Sequence, residues 1–154
     1  MNYLMILPVE FYRKSGQIYT ESAFCEHLRL FRDSLSPEVS KISILAPEMS
    51  PTEFEHRGNY LGALDEVDES IEWTPLEPAG TGRVSYLLKY LLRNALRIYK
   101  AVKAADVVHA GPSHLYYPRE IIGILTGIVL RKKTVFLVDI DWRSAPRMNF
   151  VRSP

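Results

Sequence analysis

Apolar and polar positions along this chain fall into blocks that read as strands separated by helices. Tyr3 to Val9 is a continuous apolar run stopped by Pro8 and Glu10, the pattern of a strand buried on both faces. Glu10 to Tyr19 is polar and carries Ser15-Gly16-Gln17, which predicts a loop. Thr20 is then an expected N-cap, followed by Phe24, Leu28, Phe31 and Leu35 at helical spacing. Ser36-Pro37 ends that helix, and Lys41 to Ala46 is the next strand, closed by Pro47. Met49 to Gly82 reads as a long surface excursion, with Ser70 to Thr74 a short strand inside it. Val84, Leu87, Leu88, Leu91, Leu92, Ala95, Tyr99 and Val102 form one face of a long helix. Asp106 to His109 predicts a strand, a helix follows from about Tyr117, and Thr134 to Val138 is the last strand. Gly123 and Gly127 sit one turn apart in that helix, each costing roughly 1 kcal/mol against Ala unless close packing on a sheet offsets it.

This alternation predicts an α/β fold, a single Rossmann-like doubly wound domain with a mostly parallel sheet. It spans residues 1–143, with the acidic excursion at 48–82 and a tail at 144–154. In a parallel β-α-β unit both strand ends lie on one edge of the sheet, where open α/β folds bind ligands. The crest at His109, Gly111 and Ser113 and the crest at Asp139, Asp141 and Arg143 should therefore face a common site.

Composition narrows the function classes. A chain of 154 residues with 47% hydrophobic and 24% charged residues has the makings of one ordinary core. Its net charge of +1 and the lack of a recognition motif argue against nucleic acid. Charge is nevertheless segregated. Nine acidic residues and one arginine lie between Glu48 and Glu77, whereas Arg83 to Lys103 holds six basic residues and no acidic one. Cys25 is the only cysteine, so no intrachain disulfide forms and a reducing, cytoplasmic compartment is expected. Met1 to Pro8 lacks the marks of a secretory signal. The longest apolar run, Ile121 to Leu130, is about half the ~20 residues needed to span a bilayer.

Each candidate group has a functional and a plainer reading. Ser15, Gly16 and Gln17 offer a weak anion-binding loop between the first strand and first helix, or simply a turn. His109 at a strand end is a candidate acid, base or hydrogen-bond donor to a hydroxyl or phosphate, or else a partly buried imidazole; His114 sits before the helix. Asp139 and Asp141 alternate onto one face, suited to sugar hydroxyls or acid–base work, or to capping a turn; Arg143 is a nearby partner. A metal site there is the minority reading. The basic helix 83–103 either packs on the sheet with a solvated outer face or meets anionic lipid as a peripheral membrane contact.

Taken in order, Tyr3 to Val9, Ser15-Gly16-Gln17, Thr20 to Leu35, Ile42 to Pro47 and Asp106-Val107-Val108-His109 resemble the N-terminal half of GT-B glycosyltransferases, particularly their retaining family-four group. The resemblance implies transfer of a sugar from a nucleotide sugar to a glycan or lipid-linked acceptor, as in cell-surface polysaccharide synthesis. It places Ser15, Gly16 and Gln17 on the donor-phosphate side. It places His109, Ser113, Asp139, Asp141 and Arg143 on the acceptor side. It calls for no cofactor or protein-bound metal beyond the nucleotide sugar as co-substrate. It also implies a C-terminal donor domain, either lost by truncation after the 144–154 tail or supplied as a separately encoded partner, without which the chain is not active alone. The location expected is the cytoplasm, with contact at the inner face of the membrane. A different class, a non-enzymatic Rossmann-like binding module, is the competing expectation.

Overall fold

A computed structural model describes residues 1–35, 37–64, 70–111 and 118–136. Five parallel strands form the central sheet: β1 (Asn2–Ile6), β4 (Lys41–Glu48), β6 (Ile71–Pro78), β7 (Val107–Ala110) and β8 (Lys133–Phe136), in the order β6-β4-β1-β7-β8. Strands β1, β4 and β7 are built from runs of apolar residues because both faces are covered. Alternation divides them. Tyr3, Met5, Ile42, Ile44 and Val107 face α1 (Ser22–Ser34), which contributes Cys25 and Leu28. Leu4, Ile6, Leu45, Val108 and Ala110 face the opposite layer, where Ile98 and Val102 of α4 (Leu91–Ala104) and Ile122 of α5 (Arg119–Val129) pack. The architecture is α/β and Rossmann-like, and the direction of strand addition reverses between β1 and β7. Among the described residues no helix is long and apolar enough to cross a membrane.

Three local expectations are corrected. The polar stretch after β1 is a hairpin, β2 (Tyr12–Lys14) and β3 (Gln17–Glu21), extended to a small antiparallel sheet by β5 (Leu61–Ala63). Its two-residue turn holds Ser15 at φ 52° and Gly16 at φ 88°, the left-handed pair that matches strand twist. Thr20 is therefore not an N-cap. It sits in β3, fully buried, and its hydroxyl donates to the Glu10 carbonyl at 2.9 Å. The described residues of the excursion at 48–82 hold more regular structure than their composition suggested. Ser50 caps α2 (Pro51–Arg57), its hydroxyl accepting from the Glu53 N–H, and β6 (Ile71–Pro78) runs four residues past the expected strand.

The third correction concerns the long helix. It begins with α3 (Arg83–Ser85), passes through a π turn (Tyr86–Tyr90) and continues as α4. The wider turn inserts one residue into the helical register, so Tyr86 enters the core and Val84, Leu87 and Leu88 do not. The sheet-facing stripe is Tyr86, Asn94, Ile98 and Val102, while Leu92 and Tyr99 of the expected face are exposed.

Candidate functional site

The carboxyl ends of β1, β4 and β6 converge on a cavity of about 220 Å³. Pro8 follows β1, Pro47 lies near the end of β4, and Glu77 and Pro78 close β6. Ala79, Gly80 and Thr81 form one wall, and Arg119, the first residue of α5, forms another. This is the edge at which open α/β sheets bind ligands. Glu10 lies between this cavity and a second of about 190 Å³, lined by Val9, Glu21, Met49, Arg57 and Leu61.

A buried polar cluster forms the floor. Arg119 Nη1 donates to one oxygen of Glu77, and Asn94 Nδ2 donates to the other at 2.7 Å. Glu77, Asn94 and Arg119 are all buried, as is Glu120 beside them. A cation at the first turn of a helix opposes the helix dipole, so Arg119 is held there by its carboxylate partner. Burial raises the Glu77 carboxyl above the ordinary glutamate range, against the opposing pull of Arg119 and Asn94. Burial also raises Glu10, reinforced by Glu53 and opposed by Arg57, whose Nη1 stands 3.4 Å away. The cavity thus offers two carboxylates, a guanidinium and the hydroxyl of Thr81, a set that matches a hydroxyl-rich ligand.

The residues singled out from sequence are distributed differently. His109 lies on the α1 face of β7, only 4% exposed, with its Nδ1 3.0 Å from Tyr3 Oη and its ring against Phe31. Burial, and then the charge of His27, lower its pKa. It is a core histidine within the described structure and does not line the cavity. Ser15, Gly16 and Gln17 form the hairpin turn and its flank, with no helix N-terminus behind them and no place in either cavity wall. Ser113, His114, Asp139, Asp141 and Arg143 lie outside the described residues. Glu10, Glu77 and Arg119 were not anticipated. Arg119 carried a readable signal, a cation directly after the Pro118 that starts a helix, which calls for an acid from another element. Comparison with protein families, with curated proteins and with solved structures finds no match to this chain.

Proposed function

We propose that this chain forms the acceptor side of a GT-B glycosyltransferase, which moves a sugar from a nucleotide sugar to a glycan or lipid-linked acceptor. The observation that carries the reading is the cavity at the carboxyl ends of β1, β4 and β6, walled by Glu10 and Glu77. Carboxylates in a concave, partly apolar site accept hydrogen bonds from sugar hydroxyls and fix their orientation. In such a reaction an acceptor hydroxyl oxygen bonds to the anomeric carbon, the bond from that carbon to the phosphate oxygen breaks, and the nucleoside diphosphate departs with the bonding electrons and takes up the hydroxyl proton. Glu10, at the rim between the two cavities, is the group best placed to hold that hydroxyl. The nucleotide sugar is contributed from a donor domain facing this edge.

The test is transfer of labelled sugar from a panel of nucleotide sugars to glycan and lipid-linked acceptors, using the full chain co-expressed with a candidate donor domain. Turnover is expected, and Glu10→Gln should lower kcat/KM by roughly 10- to 100-fold through loss of a charged hydrogen bond. Absence of both transfer and acceptor binding overturns the reading. A second reading, a non-enzymatic binding module, is favoured by the exposed apolar face of α4 and α5. It predicts binding without turnover in every pairing.

A further inference from the structure

The layer of α4 and α5 buries one face on the sheet and leaves an apolar face outward. Leu88, Leu92 and Leu96 lie at i, i+4 and i+8 and are 80%, 75% and 55% exposed. Beside them, Leu125, Ile128 and Val129 of α5 are 57%, 58% and 78% exposed. A helix that is apolar on its sheet face and again on its outer face does not suit water on the outside. The stripe is also the face that a π turn has rotated away from the core, so it is left over after sheet packing is complete.

Charge selects the occupant. Lys100 and Lys103 of α4 and Arg131 after α5 lie at the end of this layer where the two helices finish. Lys132 joins the two helix ends by donating to the Lys103 carbonyl at 3.0 Å. Acidic side chains are nearly missing from this layer. Residues 83–105 hold none, and Glu120 of α5 is fully buried. Asp106, at the same end, is turned to Asn2, whose backbone N–H it accepts at 2.8 Å. A second copy docked with its helices parallel would bring an equally basic rim against this one.

We propose that the outer face of α4 and α5 docks on an anionic lipid surface, with the leucines entering the acyl boundary and the basic rim meeting phosphate headgroups. Lysine stems reach headgroups while their methylenes stay on the apolar side. An apolar helix face combined with cations is the arrangement that binds in the plane of the interface. This inference stands apart from the sugar-transfer reading, because nothing in it uses the carboxyl-edge cavity.

Co-sedimentation of the full chain with vesicles tests it. Vesicles of phosphatidylcholine with about one-third phosphatidylglycerol should capture the chain at least about tenfold better than phosphatidylcholine alone, an advantage that salt screens. Leu92→Ser with Leu125→Ser should abolish capture while the far-UV dichroism is kept. Lys100→Gln with Lys103→Gln should weaken capture roughly 25-fold, about fivefold per charge. This second pair leaves the apolar face intact and serves if the serine variant misfolds. Capture that is equal on neutral vesicles, or unchanged in both variants, overturns the proposal. So does a failure to bind anionic vesicles. A concentration-dependent dimer in ultracentrifugation that the serine variant abolishes, without vesicle binding, assigns the face to a second copy instead.

Discussion

His109 shows how far a residue's chemistry depends on the face it occupies. Its position at a strand end suggested a catalytic group, yet alternation along β7 puts it with Val107 on the α1 face, against Tyr3 and Phe31. Burial disfavours the imidazolium, so the folded chain binds this proton less readily than the unfolded chain, whose histidine titrates near 6.5. The stability contributed by the neutral ring is therefore complete above about pH 6.5 and is lost as pH falls through the lower folded value. Urea unfolding followed from pH 7 to pH 5 should show falling stability. In His109→Gln that slope should flatten, at a cost of about 1 kcal/mol at neutral pH for the altered bond to Tyr3. An unchanged slope in the variant would assign the acid sensitivity to other groups.

At the scale of elements, helix α5 illustrates packing that overrides propensity. A Cβ added at Gly123 would come within 2.1 Å of the Cδ1 of Ile6, and one at Gly127 within 2.7 Å of the Cγ2 of Thr134. Both glycines let the helix lie close on β1, β7 and β8, which offsets their helical cost as the one-turn spacing suggested. Gly123→Ala should therefore destabilise, because an overpacking cost of about 1–3 kcal/mol exceeds a propensity gain of roughly 1 kcal/mol. Ile6→Val removes the interfering methyl. In a double-mutant cycle read by thermal unfolding, the pair should be more stable than the sum of the single changes, whereas simple additivity would place the clash elsewhere. The hairpin and the π turn make the complementary point. In each, one local departure from regular geometry decides which side chains reach the core.

Across the whole molecule, the Glu77–Arg119–Asn94 cluster ties β6, α4 and α5 together at the sheet edge where the cavity opens. Removing one partner of a buried pair leaves an uncompensated charge. Arg119→Met should cost about 3–5 kcal/mol of unfolding free energy at neutral pH. Because burial raises the Glu77 carboxyl, protonation relieves the orphaned charge, so the loss should shrink as pH falls. Adding Glu77→Gln should recover part of the loss. Chemical denaturation of the two variants at pH 5 and pH 7 measures both effects. Equal losses at the two pH values would show that Glu77 is not the charge left behind.

What the order of residues determined by itself was the α/β class, the parallel strands and the positions of β1, β4, β7 and α1. Those features rest on periodicity and on runs of apolar residues, which are local properties of the chain. Even the close approach of α5 was legible, since two glycines one turn apart have few other uses in a helix. The site was legible only as an edge. The sequence pointed to the edge where the two later strands end, whose crests at Ser113 and at Asp139 to Arg143 lie outside the described residues; the cavity lies on the same edge of the sheet but at β1, β4 and β6, walled by Glu10, Glu77 and Arg119. Glu77 and Arg119 stand 42 positions apart, and their pairing exists only once β6 and α5 are brought to the same edge. The sheet-facing stripe of the long helix was likewise decided by tertiary packing. Two apolar stripes compete on that helix, and the π turn with the space above the sheet selects one. Local patterns specify elements because neighbouring residues set them; partners and faces are specified by long-range packing, which no window of sequence contains.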